Sequence, residues 1–322
     1  MTPWQPSASV ETLQQRAAIL GRIRTFFSQR QVLEVETPLM SHCAVSDPHI
    51  DSISVNYQAA GDSAQALLYL QTSPEYAMKR LLAAGSGCVY QLGKAFRNGE
   101  SGRRHNPEFT MLEWYRIGFT DTDLMDEIEA LVSPILGIEG IERQTYLDIF
   151  QQYLKVDPTV LSVAELKKLT AEYIEIELDD SDPVTWRDLL FSHVIEPQLQ
   201  ARNAVFVTDY PADQAALARL KTDASGRQVA ARFELFVRGM ELANGYHELT
   251  DAQEQARRFE ADQAYRAAHG LPQRPLDMRV VGALQTGLPD CAGVALGVDR
   301  LVMLALGAEA LSQVLAFDVS RA

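Results

Sequence analysis

The sequence predicts an α+β fold, a mostly antiparallel sheet flanked by helices and assembled from both ends of the chain. Three observations carry this. Strand-like apolar runs bracket a polar loop in FRNGESGRRHNPEFTMLEW, residues 96 to 114, which is a hairpin pattern with a loop too long for a simple turn. Strand character returns only late, in NAVFVTDYP, RFELFVRGMELANGYHEL and DCAGVALGVDRLVMLAL. Between Thr120 and about Gln200 the pattern changes to amphipathic helices, DTDLMDEIEALV and VTWRDLLFSHVI among them, joined by Pro- and Asp-containing turns. The expectation is one domain over residues 1 to 322 with a helical insertion at about 120 to 200.

Along the chain, Leu13, Ala17, Leu20, Ile23 and Phe27 recur at helical spacing, so an amphipathic helix opens the fold after Ser9. QVLEVETPLM then reads as a strand ended by Pro38. A charged helix at residues 252 to 268 separates the last two strand regions. No repeat, low-complexity tract or Gly/Ser linker divides the sequence.

Composition bounds the function. With 322 residues and 47% hydrophobic content the chain can bury a substantial core. Its 29 basic and 43 acidic side chains leave a net charge of −14, which argues against a surface built for phosphate backbones and makes tRNA an unfavoured partner. The first residues, MTPWQPSASVETL, lack a secretory signal pattern, and no apolar run is long enough to cross a bilayer, so a cytoplasmic protein without a membrane partner is expected. Cys43, Cys88 and Cys291 are few, far apart and without a CxxC pair, and are read as reduced core thiols.

The arginine-rich loop within an acidic chain suggests an anion. In the following strand, alternation puts Phe109, Met111, Glu113 and Tyr115 on one face and Thr110, Leu112 and Trp114 on the other. Glu234, Glu241 and Glu248 fall at intervals of seven, Asn244, Tyr246 and Glu248 share strand parity, and Gly239 and Gly245 permit bends that could re-aim Glu241. Carboxylates hold Mg²⁺ and arginines hold phosphates, so the two sets together describe a nucleoside triphosphate site. Neither GxxxxGK[ST] nor a GxGxxG after a strand is present, which argues against the common glycine-rich nucleotide folds.

EVETP, FRN followed by RHNPEFTMLEWY, and GVALGVDRL resemble motifs 1, 2 and 3 of class II aminoacyl-tRNA synthetases, and RGMELANGYHEL resembles the lysyl branch. The likeness spans nearly the whole chain. Lysyl-tRNA synthetases carry an N-terminal anticodon-binding barrel, whereas here the motifs begin almost at residue 1, which resembles the paralogous branch that attaches (R)-β-lysine to elongation factor P. The resemblance implies a class II catalytic domain, a homodimer through motif 1 around Pro38, and ATP with Mg²⁺ as cofactors. It implies an ATP-dependent ligase that forms an aminoacyl-adenylate, with elongation factor P as protein substrate and a small diamino acid as the other.

Residue by residue, the resemblance places Arg97 at the α-phosphate and the reacting carboxylate, and Arg300 against the nucleotide near Gly297. Asn98, Glu100, His105 and Asn106 would line the nucleotide loop, Phe109 would stack on adenine, and Leu242 would lie at the same nucleotide. Glu234 and Glu241 would be the Mg²⁺ carboxylates. The amino-acid pocket would use Ser73, Pro74 and Glu75 of SPE, Glu113, Tyr115, Asn244, Tyr246, Glu248 and Ala295. Two positions depart from the family pattern: Gly99 replaces an adenine-contacting glutamate that Glu100 would have to supply, and Ala295 replaces a pocket glycine. Two alternatives stay open, a minimal lysyl-tRNA synthetase that charges tRNA and a non-catalytic paralogue that binds amino acid or nucleotide.

Overall fold

The computed structural model describes residues 4 to 61 and 65 to 322. The chain divides into two compact units, one of residues 1–119, 134–137 and 249–322, the other of residues 120–133 and 138–248.

The first unit opens on α1 (Val10–Gln29), where the Ser9 hydroxyl accepts the Thr12 N–H and caps the helix as its position predicts. Ile19, Ile23 and Phe27 form its buried stripe. There follow β1 (Leu33–Glu34), β2 (Met40–Ser41), β3 (Ser54–Tyr57), β4 (Ala66–Leu70), α2 (Glu75–Ala83), β5 (Val89–Phe96) and β6 (Glu108–Ile117). The predicted strand over QVLEVETPLM is therefore only two residues long. Val35 N–H still reaches Tyr90 O, but the Thr37 N–H turns to the Gln91 side chain and Pro38 has no donor, so the ladder stops.

The second unit begins with α3 (Asp121–Leu136), whose last turn belongs to the first unit, and continues through β7 (Glu142–Thr145), α4 (Tyr146–Tyr153), α5 (Val163–Ala171), α6 (Pro183–Leu190), a π-helical turn at Phe191–Ile195 and the single turn α7 (Glu196–Gln198). It closes with β8 (Ala204–Pro211), β9 (Leu220–Thr222), β10 (Gln228–Val237) and β11 (Met240–His247). The chain then returns to the first unit through α8 (Ala252–Ala268), α9 (Met278–Gly287), β12 (Cys291–Gly297) and α10 (Val298–Ala305). The second half of DCAGVALGVDRLVMLAL, read as strand, is thus a helix: Val298, Leu301 and Val302 recur at helical spacing and are all buried.

In the first unit the strand order is β1-β5-β6-β12, parallel between β1 and β5 and antiparallel beyond, beside a separate antiparallel β2-β4-β3 sheet. Its core is aromatic: Phe27 stacks on Tyr90 at 4.4 Å and meets Trp114 edge-on at 5.3 Å. In the second unit β11-β10-β8-β7 run in that order, with β9 on β10, and only β7 and β8 are parallel. Helices α4 and α6 and the π-helical turn bury Tyr146, Phe150, Trp186 and Phe191 against Val205, Val207 and Phe236. Arg238 and Gly239, both at positive φ, make the two-residue turn between β10 and β11, a conformation matched to hairpin twist. Among the described residues no helix is long and apolar enough to cross a membrane. All three cysteines are free; Cys291 is buried, but Cys43 and Cys88 are half-buried, not core.

Candidate active site

In the first unit the predicted residues fall into two groups on the β5–β6 hairpin and its neighbours. Glu113, mid-β6, is only 2% exposed. The Ser73 hydroxyl donates to its Oε2 at 2.8 Å and the Tyr115 hydroxyl to its Oε1 at 2.7 Å, so both oxygens of a desolvated carboxylate are held by strong, charge-assisted bonds. Glu113 and Tyr115 share a face, as alternation predicts, while Trp114 points into the core. Ala295 stands directly opposite Glu113 in the β12–β6 register. Ser73 also accepts the Glu75 N–H at 3.0 Å, next to Pro74 at the start of α2. Glu75 Oε1 accepts a 2.7 Å bond from Lys79, itself 1% exposed, so this acid already faces a buried ammonium one turn on.

The second group surrounds the loop between β5 and β6. Arg97 N–H donates to Pro107 O at 2.9 Å and closes the loop base. Its guanidinium lies 5.3 Å from the Phe109 ring centroid and 3.6 Å from Glu100. Gly99 has φ +78°, a left-handed conformation that favours glycine over the glutamate usual in the family, and Glu100 is turned beside Arg97. Asn98 is anchored on Asp51: its N–H reaches Asp51 O at 2.9 Å and its Nδ2 reaches Oδ2 at 2.8 Å. Burial opposes ionisation of Asp51, but the bonds from Asn98 and Arg274 outweigh it and hold the carboxyl below its usual range.

Arg300 Nη2 and His105 Nε2 are 2.7 Å apart. A guanidinium only donates, so in this bond the ring nitrogen Nε2 is the acceptor. Asn106 is engaged structurally, donating to Glu108 O at 2.6 Å and accepting the Val319 N–H at 3.0 Å. Gly297 caps α10, and a Cβ there would meet only the Arg300 stem, at 3.6 Å.

In the second unit the β10–β11 hairpin carries the remaining residues. Glu234 lies opposite Asn244 and Arg232 opposite Tyr246. A register shift then skips Leu242 and sets Glu241 opposite Phe236. Because strand faces alternate, this bulge is what turns Glu241 to the face of Glu234, a task the sequence reading gave to Gly239 and Gly245. Glu234 accepts from Arg232 at 2.6 Å and from the Tyr210 hydroxyl at 2.7 Å. Burial raises its carboxyl above the ordinary range, Arg232 opposes this and Glu241 adds to it. Glu248 follows β11, 1% exposed, in a backbone bridge with Ala218. Asn244 Oδ1 is buried and has no hydrogen-bond partner.

Glu234 and Glu241 fit a divalent cation. Two carboxylates that repel each other in a desolvated setting gain from a shared positive charge, and each Glu234 oxygen keeps a lone pair beyond its single bond. Among the described residues no group of three or more His, Cys, Asp or Glu is disposed to hold a metal alone. The pair therefore suits Mg²⁺ that takes its other ligands from phosphate and water.

Sequence reasoning missed Lys79, Asp51, Arg232 and Tyr210. Lys79 was within reach, four residues after Glu75 on a helix, and Arg232 two residues before Glu234 on a strand. Asp51 and Tyr210 meet their partners only through the tertiary fold.

The family model for tRNA synthetases class II (D, K and N) matches residues 4–321. The chain is 51% identical to the elongation factor P–(R)-β-lysine ligase of Yersinia enterocolitica over 321 residues. It is 50% identical to the proteins of the same name from Vibrio cholerae and Salmonella paratyphi B. In each case 99% of this chain and 98% of the relative are covered. With its three motifs on a β5–β6 hairpin, a β12–α10 junction and the short strand β1, the chain belongs to the class II tRNA synthetase family of the aspartyl, lysyl and asparaginyl group.

Proposed function

We propose that this protein is an ATP-dependent ligase that activates (R)-β-lysine as an adenylate and transfers it to a lysine side chain of elongation factor P. The observation that carries the reading is the joining of two chemistries on one hairpin. Cationic Arg97 lies over Phe109 at the loop, and a buried carboxylate, Glu113, lies four residues on along β6 with hydroxyl partners. The first suits phosphate beside an aromatic base, the second an ammonium. Relatives of the same length at about half identity carry the matching name.

The amino-acid carboxylate is already a nucleophile; it attacks the α-phosphorus, the bond to the β-phosphate breaks and pyrophosphate leaves, so the residues need only position it and neutralise charge. Arg97 takes the developing charge at the α-phosphate, and Arg300, steadied by His105, closes over the nucleotide, with Phe109 under adenine and Asn98, Glu100 and Asn106 shaping the loop. Glu234 and Glu241, with Leu242 as the bulge that aligns them, would hold Mg²⁺, which when bound would supply charge screening for phosphates. In the first unit Glu113, Tyr115, Ser73 and Glu75 suit an amine of the substrate, and in the second unit Asn244, Tyr246 and Glu248 are polar groups suited to a ligand of the same kind. The orphaned Asn244 Oδ1 suits an ammonium donor. In the second step the neutral ε-amine of the acceptor lysine attacks the acyl carbon, AMP leaves as the acyl–oxygen bond breaks, and the amine proton is released to solvent.

The test is amino-acid-dependent pyrophosphate exchange, followed by transfer of labelled β-lysine to elongation factor P or to bulk tRNA. Exchange with β-lysine and labelling of the factor are expected. Efficient charging of tRNA without labelling of the factor would establish a minimal lysyl-tRNA synthetase instead, and exchange with no diamino acid would leave a non-catalytic binding protein.

A further inference from the structure

Arg16 lies in the middle of α1, remote in sequence from every motif, yet its side chain is only 13% exposed and reaches both segments assigned to the nucleotide. Its Nη2 is 2.5 Å from Asp299 Oδ1 and 2.9 Å from Thr110 Oγ1. Asp299 Oδ2 in turn accepts the Thr110 N–H at 2.7 Å. The three residues close a ring. Thr110 follows Phe109 on β6, and Asp299 precedes Arg300 in the first turn of α10. Thr110 and Asp299 are 8% and 2% exposed, so the ring is shielded from solvent.

We infer that Arg16 is a positioning residue, which through Asp299 and Thr110 fixes the spacing of Phe109 and Arg300 across the nucleotide site; the inference rests on the reading of those two residues as nucleotide contacts. The ring is suited to that task because its chemistry is complementary. Arg16 brings a positive charge and Thr110 a backbone donor, and a carboxylate meets both, pairing with the charge at Oδ1 and accepting the Thr110 N–H at Oδ2. One guanidinium nitrogen pairs with the Asp299 charge and donates to Thr110 in the direction set by its plane, which a flexible ammonium cannot reproduce. A buried Asp299 also cannot move toward water to find another partner.

Three substitutions grade the ring. Thr110→Val keeps the side-chain shape and the backbone N–H but deletes Oγ1, and should raise KM for ATP roughly three- to tenfold. Asp299→Asn keeps volume but sets an NH2 against one of the two donors, and should lower kcat/KM for ATP on the order of a hundredfold. Arg16→Lys keeps the charge and should fall between them. In Thr110→Val, KM for the amino acid and the melting temperature without ligand should stay at the wild-type values, which separates positioning from loss of structure.

Pyrophosphate exchange gives the KM values, and the rise in melting temperature with a non-hydrolysable ATP analogue gives nucleotide affinity without turnover. A KM for ATP within twofold of wild type in all three variants overturns the inference, as does a joint rise of both KM values with a lowered melting temperature. Should the wild type bind the analogue but show no exchange, the ligase reading fails while the graded binding still decides the role of Arg16. A wild type that does not bind the analogue defeats both.

Discussion

Ala295→Gly should relax the choice between lysine isomers. Ala295 and Glu113 are a directly opposed pair in the β12–β6 register, an arrangement that sets the two Cβ atoms about 4.5–5.5 Å apart on one face of the sheet. Glu113 cannot swing aside, because Ser73 and Tyr115 hold its two oxygens at 2.8 and 2.7 Å. The methyl therefore borders a fixed wall. A β-amino acid carries its amine one carbon farther from the carboxylate than an α-amino acid. A pocket that fixes the carboxylate at Arg97 thus meets the two isomers with different backbone bulk near Ala295. Removing the methyl should relieve α-lysine by about 1–3 kcal/mol, roughly ten- to two-hundredfold in kcat/KM. For β-lysine the loss is limited to about 0.8 kcal/mol of apolar contact. Glycine within a strand adds a stability cost of about 0.5–1 kcal/mol, which leaves the protein folded. The assay is kcat/KM in pyrophosphate exchange for both isomers in both proteins. An unchanged ratio would reduce Ala295 to packing and place isomer selection elsewhere.

Other perturbations test separate parts of the molecule. Arg97→Ala should lower the exchange rate by on the order of a hundredfold or more, if it deletes the charge proposed to stand at the α-phosphate; a loss confined to KM for the amino acid would contradict that role. Gly245→Ala should destabilise by about 1–3 kcal/mol, because the new Cβ would lie 2.3 Å from Cζ of fully buried Phe233, and an unaltered urea midpoint would show that the ring can yield. At the β9–β10 turn, Ser225 and the Arg227 N–H hold the Asp223 carboxyl down to about 2. A depressed carboxylate contributes stability above its unfolded value near 3.9, lost as pH falls toward about 2. Asp223→Asn should therefore flatten the acid dependence of the unfolding midpoint in that window, and parallel curves for the two proteins would exclude the turn as its source.

Much of the fold was legible because local rules act locally. The Ser9 cap and the period of Ile23 and Phe27 mark α1, the long polar loop marks the β5–β6 hairpin, and charge marks α8. The β12–α10 junction was not legible, because VALG and LVMLAL on either side of Asp299 and Arg300 are short apolar runs that suit a buried strand or a buried helix alike, and the helical spacing of Val298, Leu301 and Val302 is too brief to decide between them. The bulge at Leu242 escaped for a related reason: a one-residue slip is set by partner strands, not by the residue itself. In the site, motif residues were legible and their holders mostly were not. Ser73 meets Glu113 across 40 residues and Asn98 meets Asp51 across 47, and no periodicity encodes such pairs.

Strand β6 shows why site and stability are hard to separate in this fold. Its period of two sends Leu112 and Trp114 into the aromatic core with Phe27, while the intervening Glu113 and Tyr115 form the carboxylate–hydroxyl pair. Both faces are buried, so the same hydrogen-bonded backbone that is fixed by core packing also fixes the direction of the polar groups. The backbone itself takes part, since the Thr110 N–H, on the edge of the same strand, carries Asp299 and with it the start of α10. A site built this way needs little flexibility in its side chains: Glu113 is bonded at both oxygens, and Arg300 and His105 constrain each other. That suits a reaction in which the nucleophile is supplied by the substrate and the protein contributes position and field, because preorganised groups stabilise the transition state without the cost of reorganising during it.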